Sequence, residues 1–517
     1  MIQIKNLTVI HKKDLRPLIE NLSFVLHDGD KMAVIGEEGN GKSTLLKCIY
    51  DPSLVEEYAQ ISGEILRDGK GMGYLPQELP SKDRELSLWE YFQKNPGFYD
   101  CTPGELGQLA ARLKLPADIF YGEQKMGTLS GGERVKTQLA GILLARPGTL
   151  LLDEPSNDID MEALCWLEGF LRDCPVPVLY ISHDETLLER TAGRILHMEQ
   201  THRKTKFGYT VTGMGYEAYV KERNRRFVRQ EQEAQKEREE YDKQQERYRK
   251  ICQKVEHQQN IISRGDPFGA QRLKQKMHTV KAMERRIGRQ AEEMTDFPDR
   301  EEEIFLKFPK EHPLPAGKEV LSVSLDVLEA GDKVLSRNIR LTVRGPEKIG
   351  IVGKNGMGKT TLLKKLLAAL EEKENMTAAY MPQKYEELLE EDQTPMEFLE
   401  ETGDKSERDR HAVYLGSLKF TREEMFHPIR ELSGGQKAKL LLLKCSLGQA
   451  DVLVLDEPTR NISPLSGPVI RQLLKEYPGA ILSVSHDRKY LEEVCGQVYE
   501  LTEQGLINAV AGNSWKD

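Results

Sequence analysis

Gly36-Glu37-Glu38-Gly39-Asn40-Gly41-Lys42-Ser43 is the stretch on which the reading of this chain turns. It follows the apolar run Met32-Ala33-Val34-Ile35 and precedes Thr44-Leu45-Leu46-Lys47, which predicts a strand, a loop and a helix in that order. Glycines at this spacing let backbone N–H groups point at phosphate. Lys42 can then neutralise the β and γ phosphates while Ser43 holds Mg²⁺. The pattern recurs as Gly353-Lys354-Asn355-Gly356-Met357-Gly358-Lys359-Thr360, an offset of 317 residues. Leu129-Ser130-Gly131-Gly132-Glu133 recurs as Leu432-Ser433-Gly434-Gly435-Gln436 at an offset of 303. The same 303 separates Asp153-Glu154-Pro155 from Asp456-Glu457-Pro458 and Ser182-His183-Asp184 from Ser485-His486-Asp487. A long repeat with a constant offset predicts two copies of one structural unit. The first copy is 14 residues longer between its phosphate loop and Leu-Ser-Gly-Gly, and most of that excess precedes Gln77 and Gln383.

Leu150-Leu151-Leu152-Asp153 and Leu453-Val454-Leu455-Asp456 are apolar runs ending in a carboxylate, the pattern of buried parallel strands whose C-terminal ends face a ligand. Asp153 and Asp456 are placed to orient Mg²⁺. Glu154 and Glu457, next in line, can position or deprotonate an attacking water, which phosphoryl transfer to water requires. His183 and His486 each end a further apolar strand and can reach the γ-phosphate side.

With 38% apolar and 30% charged residues among 517, the composition is globular, with room for two to four domains. No window approaches ~18 uninterrupted apolar residues, and the start, Met1-Ile2-Gln3-Ile4-Lys5-Asn6, lacks the layout of a secretory signal, so a cytoplasmic location is expected. Seven cysteines, Cys48, Cys101, Cys165, Cys174, Cys252, Cys445 and Cys495, are scattered without metal-ligand spacing, which predicts free thiols and neither disulfide nor zinc. The formal net charge of -9 argues against a nucleic-acid partner for the chain as a whole, while leaving room for a local basic stripe.

Such a stripe exists between the two units. Phe227, Ala234, Tyr241, Tyr248, Val255 and Ile262 recur every seven residues among charged and Gln residues; Leu273, Met277, Val280, Ile287, Ala291 and Met294 follow the three-and-four rhythm of a helix seam. Ser263-Arg264-Gly265-Asp266-Pro267-Phe268-Gly269, with its Gly and Pro breakers, predicts a turn between two antiparallel helices. From Ser263 to Gln290, eight Lys and Arg stand against Asp266 and Glu284, a local net charge of +6. A basic tip of this kind gains affinity for RNA by counterion release, with Arg264, Phe268, Arg272, Lys274 and Lys276 as candidate contacts.

Taken with the two Leu-Ser-Gly-Gly segments, both units resemble ATP-binding cassettes, over nearly the whole chain except the linker. The resemblance implies an α/β fold of two tandem P-loop ATP-binding-cassette domains, 1–213 and 298–517, joined by an α-helical coiled-coil hairpin linker, 214–297, with its tip at about 261–270. It implies ATP and Mg²⁺ as cofactors, and hydrolysis of ATP to ADP and phosphate. The implied ATP-binding residues are Gly36 to Thr44 (Gly36, Glu37, Glu38, Gly39, Asn40, Gly41, Lys42, Ser43, Thr44) with Gln77, and Gly353, Lys354, Asn355, Gly356, Met357, Gly358, Lys359, Thr360 and Thr361 with Gln383. Ser43, Gln77 and Asp153, and likewise Thr360, Gln383 and Asp456, are the implied Mg²⁺ ligands. In the family the signature segment docks on the opposite cassette's nucleotide. Ser130 and Gly132 would therefore complete the site on Lys359, and Ser433 and Gly435 the site on Lys42, within one monomeric chain. The aromatic that usually stacks on adenine has no obvious counterpart: His11 is the candidate in the first unit, and Val323-Ser324-Leu325-Asp326-Val327 offers none in the second.

Two families with paired cassettes and no membrane segment remain. One is the cytosolic ATPase of a membrane importer; the other is the ABC-F translation factors, whose hallmark is a long helical linker. The charge-rich hairpin points to the ABC-F family, with the ribosome (ribosomal RNA and P-site tRNA) as partner through the linker and no stable membrane partner. Gln77 to Ser130 spans 53 residues and Gln383 to Ser433 spans 50, leaving no room for the arm that housekeeping members insert in the first cassette. The chain also stops soon after the second cassette, so no C-terminal coiled coil is expected. This layout, with Asp153-Glu154-Pro155-Ser156-Asn157 and Asp456-Glu457-Pro458-Thr459-Arg460, resembles the antibiotic-resistance ABC-F proteins of the lincosamide, streptogramin A and pleuromutilin group. The implied function is ribosomal protection by an ATP-bound, closed protein that ATP hydrolysis releases. A general ABC-F translation factor is the alternative.

Overall fold

A computed structural model describes residues 1–13, 15–201, 206–261, 267–292, 294, 314–331, 333–448 and 450–509. The first cassette opens with β1 (Ile2–His11), β2 (Pro17–Leu26) and β3 (Lys31–Ile35), the strand that delivers the first glycine loop to α1 (Lys42–Tyr50). Next come β4 (Ala59–Arg67), β5 (Met72–Leu75), α2 (Gly131–Leu144), β6 (Thr149–Asp153), α3 (Met161–Asp173), β7 (Val178–Ile181), α4 (Glu185–Thr191), β8 (Arg194–Thr201) and β9 (Lys206–Thr212). Between the cassettes run α5 (Tyr216–Ile261) and α6 (Pro267–Glu292). The second cassette repeats the first as β10 (Glu319–Ala330), β11 (Lys333–Arg344), β12 (Lys348–Val352), α7 (Lys359–Glu371), β13 (Ala378–Met381), α8 (Gly434–Leu447), β14 (Val452–Asp456), α9 (Gly467–Glu476), β15 (Ala480–Val484), α10 (Arg488–Glu493), β16 (Gln497–Thr502) and β17 (Gly505–Asn508).

Each cassette is built on a six-stranded sheet of the same order, β5-β6-β7-β3-β8-β9 and β13-β14-β15-β12-β16-β17. Five strands of each run parallel and the last turns antiparallel. β6, β7, β14 and β15 are buried along their whole length, which is why they read as continuous apolar runs. This order sets β3 beside β7 and one strand from β6, so the glycine loop, the Asp-Glu pair and the strand-end His all emerge at the same edge. The edge sheets differ. Among the described residues the first cassette has three strands, β2-β1-β4, and the second two, β10-β11. β4 accounts for the extra residues before Gln77, whose position the offsets gave but whose form they did not.

The glycine loops need glycine. At Gly36 (φ 149°) and Gly353 (φ 148°) a Cβ would stand 2.3 Å from the Met198 carbonyl oxygen and 2.8 Å from that of Leu501. The signature helices α2 and α8 start at capping boxes. Ser130 Oγ accepts from the Glu133 N–H while Glu133 accepts from the Ser130 N–H, and Ser433 and Gln436 do the same.

The chain divides into two compact units, Met1–Glu217 with Glu301–Asp517, and Ala218–Arg300. Within the second, α5 runs 46 residues, roughly 69 Å at 1.5 Å per residue. Ala234, Val255, Val280 and Ile287 are buried along the seam, and Phe227, Tyr241 and Tyr248 are half-buried. Lys274, Lys276, Lys281, Arg285, Arg286 and Arg289 are exposed on α6. The turn expected at 263–269 is shorter at its end, because α6 begins at Pro267 and takes Phe268 and Gly269 into its first turn. Proline's fixed φ suits that first helical position. Arg264, with residues 262–266, lies outside the described residues; Arg272 falls on α6. No helix among the described residues is long and apolar enough to cross a membrane.

Candidate functional site

The two glycine loops face the opposite cassette's signature helix across the cleft. A cavity of about 340 Å³ is lined by Gly39, Gly41, Lys42, Ser43, Thr44, Gln77 and Glu154 from the first cassette and by Ser433, Gly434 and Asn461 from the second. Lys42 Nζ, buried, donates to the Gly36 and Glu37 carbonyls at 2.8 Å each. Ser43 Oγ donates to Asp153 Oδ1 at 2.9 Å, and Tyr74 donates to Asp153 Oδ2 at 3.3 Å. A hydroxyl and a carboxylate brought together at the head of a phosphate loop are the hard oxygen donors that Mg²⁺ takes, so the residues present fit that ion. Burial and the neighbouring Glu154 push the Asp153 carboxyl up to about 6.

Glu154 occupies the left-handed backbone region (φ 51°), as does Glu457 (φ 55°). A non-glycine residue held in this conformation directly after a strand stores strain, and both side chains line the cavities. Gln77 Nε2 donates to Glu154 Oε2 at 3.0 Å and Asn157 donates to the same oxygen. His183 Nε2 lies 3.3 Å from Glu154 Oε1, while its Nδ1 is 3.0 Å from the Ile462 carbonyl of the other cassette. A carbonyl only accepts, so the Nδ1 carries the proton there. Burial alone would raise the Glu154 carboxyl, yet His183, Lys42 and Asn157 more than offset it and hold it at about 2.

The second cavity is larger, about 720 Å³, and joins Gly356, Gly358, Lys359, Thr360, Thr361, Gln383, Asp456, Glu457 and His486 to Gly131, Asp158 and Ile159 of the first cassette. Lys359 Nζ donates to the Gly353 and Lys354 carbonyls at 2.7 and 3.1 Å, and Thr360 Oγ1 to Asp456 Oδ2 at 2.7 Å. The surroundings of the glutamate change. Arg460 replaces Asn157 and pairs instead with Asp158 Oδ1 of the opposite cassette at 2.7 Å. His486 Nε2 is 3.7 Å from Glu457 Oε1, and burial with the nearby Lys359 charge lowers its imidazole to about 3, leaving it neutral. Burial and Asp456 therefore push Glu457 up, to about 8.

Some expected phosphate-loop residues also use their side chains to brace the loops. Asn40 donates to the Met198 carbonyl at 3.1 Å and fixes its loop to β8. Met357 packs on the apolar core of the second cassette. Asn355 Nδ2 donates to the Asp158 carbonyl at 2.8 Å and its backbone N–H reaches Asp160 Oδ2 at 3.4 Å. Glu37 and Lys354 reach across to Lys419 (3.5 Å) and Glu162 (3.0 Å). Glu38 accepts from the Gly435 N–H at the N-terminus of α8, where a helix favours an anion. Gly132 lies under its helix, where a Cβ would come 2.7 Å from Ala163. Ser130 caps α2 beside Gly131, which lines the larger cavity. His11 is not among the residues that line the first cavity; Leu18 is, and Leu335 holds the same place in the second. Those two leucines are 317 residues apart, the offset of the phosphate loops, a signal that was present in the sequence. Asp158, Asn461 and Arg460 were also missed as site residues.

Two cavities, each with a phosphate loop, a glutamate that follows a strand-end Asp and a helix N-terminus supplied by the other half, with both histidines on the wall of the larger one, define a two-cassette nucleotide hydrolase. The family model described as ABC transporter matches residues 19–157 and 336–460. The ribosome protection protein VmlR of Bacillus subtilis (strain 168) is 30% identical over 95% of this chain and 85% of its own. ABC transporter F family member 5 of Arabidopsis thaliana is 28% identical over 96% of this chain and 74% of its own. Among solved structures, the archaeal ribosome recycling factor aABCE1, in complex with the ribosomal stalk protein aP1, superposes with a TM-score of 0.61 over 98% of this chain and 91% of that one, at 17% identity. The chain belongs to the ABC family, in its ABC-F branch, and is an ATPase.

Proposed function

We propose that this ATPase acts on the ribosome, binding in the ATP-bound closed state, carrying its basic hairpin into RNA toward the peptidyl-transferase centre, and protecting the ribosome against antibiotics until hydrolysis releases it. The observation that carries this reading is the six exposed cations of α6 in a chain of net charge -9. Cations concentrated on one helix bind phosphate backbones by counterion release while acidic cassettes do not. Likeness to VmlR supports the protective role, and a cytoplasmic location follows from the partner.

In this reading Lys42 and Lys359 neutralise β and γ phosphates. Ser43, Asp153 and Gln77, and Thr360, Asp456 and Gln383, would hold Mg²⁺, whose charge offsets that developing on the phosphates. Glu154 and Glu457 orient water; its oxygen bonds to the γ phosphorus as the bond to ADP breaks, and its proton passes to the carboxylate. His183 and His486 hold the glutamates, and the α2 and α8 N-termini meet the opposite γ-phosphate. The test is sedimentation of the Glu154→Gln, Glu457→Gln chain with 70S ribosomes and ATP, imaged to locate residues 261–270. Co-sedimentation with the hairpin near the peptidyl-transferase centre is expected. Absence from ribosomes, with capture of membrane permease subunits, overturns the reading. Ribosome binding without raised drug tolerance in a susceptible host leaves a general translation factor.

A further inference from the structure

Behind the two histidines, the cassettes meet through buried charges arranged in an unusual way. Arg471 of α9 grips Glu185 of α4 with two contacts, Nη1 to Oε1 at 2.5 Å and Nη2 to Oε2 at 3.3 Å. Arg488 of α10 lies 2.7 Å from Glu168 Oε1 of α3. All four side chains are buried, between 3% and 8% exposed. Each interior partner is held from behind within its own cassette: Arg190 pairs with Glu168 at 2.9 Å, and Glu493 with Arg471 at 2.8 Å.

The repeat offset of 303 that aligns the motifs also aligns these residues. Glu168 corresponds to Arg471, Glu185 to Arg488, and Arg190 to Glu493. At three equivalent positions of two homologous cassettes the sign of the charge is reversed. Each ion pair joins the position 168/471 of one cassette to the position 185/488 of the other, so the two pairs are related by the pseudo-twofold that relates the cassettes. A steric difference agrees. Gly467, where a Cβ would stand 2.3 Å from Glu185 Oε1, corresponds to Leu164 in the first cassette.

We infer that these positions specify the partner: the first cassette fits the second cassette and rejects a copy of itself. Two first cassettes would bring Glu168 against Glu185, and Leu164 onto that carboxylate; two second cassettes would bring Arg471 against Arg488. Uncompensated like charges in a buried contact oppose closure. Pairing identical cassettes between copies, the usual route to a symmetric dimer, is thereby disfavoured, and each cassette has the complement it needs in its own chain.

The inference rests on the closed pairing as the hydrolytic state, and its test separates the two. One full-length chain carries Glu168→Arg, Glu185→Arg and Arg190→Glu; another carries Arg471→Glu, Arg488→Glu and Glu493→Arg; a third carries all six. ATPase rate and ATP-dependent mass in solution are read for each and for an equimolar mixture of the first two. Each triple variant alone is expected to lose at least tenfold in turnover, and the sixfold exchange to recover to within about threefold of the parent. The mixture is expected to regain turnover with the mass of a dimer, because each chain then finds its complement only in the other; misfolded chains could not complement. The milder Glu168→Gln, Glu185→Gln chain should lose less than the reversal. Recovery in neither the exchange nor the mixture, or neutralisation as costly as reversal, overturns the inference. A parent chain that closes on ATP without hydrolysing it would refute the hydrolytic reading alone, since dimer mass in the mixture would still report the pairing.

Discussion

The cavity on Lys42 and the cavity on Lys359 are made from the same motifs, yet the carboxylate meant to handle water sits in opposite surroundings. Glu154 accepts from Gln77 and Asn157, has His183 within 3.3 Å, and remains ionised. Glu457 has Arg460, which pairs with Asp158, in place of Asn157; the His486 N–H and the Lys359 and Arg460 charges offset only part of its burial and of the Asp456 charge. The neighbours of the carboxylate, Asn157 against Arg460 and His183 against His486, thus separate two sites built on the same motifs. The comparison teaches that motif identity sets what a site can bind, while the neighbours of the carboxylate set when it can act as a base.

The largest effect should come from removing both carboxylates. Glu154→Gln with Glu457→Gln is expected to slow ATP turnover by ~100-fold or more with ATP binding retained, measured as phosphate release and nucleotide affinity. The single changes then sharpen the comparison. At pH 8.5, Glu457→Gln is expected to cost more turnover than Glu154→Gln, because an ionised base of higher pKa accepts the proton better. Equal losses would mean that the two sites work alike.

The next effect, about tenfold, concerns pH. A carboxyl raised to about 8 is mostly protonated at pH 7 and mostly ionised at pH 9, and only the ionised form is a base. Turnover of the Glu154→Gln chain, which retains the Lys359 site, should therefore rise about tenfold from pH 7 to pH 9. The Glu457→Gln chain, left with a carboxylate held at about 2, should stay level over that range. Two parallel profiles would break the comparison.

Much of this was legible in the sequence. Chemistry bound to local spacing could be read directly: the glycine loops, the strand-end carboxylates, the histidines and the signature caps all depend on a few consecutive residues. The heptad seam of the linker could be read from its period. What escaped depended on register or on the meeting of distant segments. β4 could be placed by offset but not recognised as an edge strand. Asn40 and Met357 belong to the loop motif, and that their side chains anchor on Met198 of a neighbouring strand and on the core beneath depends on segments far off in sequence. The sign reversals at 168/471 and 185/488 were countable in the sequence, but only the interface gives them meaning.

The smallest expected effect lies at the far wall of the cavities. Leu18 and Leu335 stand on the second strand of each cassette's edge sheet, at the mouths of their cavities and beside the glycines that start α1 and α7: a Cβ on Gly41 would meet the Leu18 carbonyl at 3.3 Å, and one on Gly358 would meet Leu335 Cδ1 at 2.5 Å. An adenine extending from phosphates held by Lys42 or Lys359 would rest there on an aliphatic side chain rather than on a stacked ring. Truncation to Ala removes about 20–40 Å² of apolar contact, roughly 0.5–1 kcal/mol, so a two- to fivefold rise in KM for ATP is expected with kcat unchanged. Measured in the single-Gln backgrounds, Leu18→Ala should act only on the Lys42 site and Leu335→Ala only on the Lys359 site. If both variants raise KM in both backgrounds, the leucines affect the fold of the cassettes and not the base; if neither does, the base lies elsewhere in the cavity.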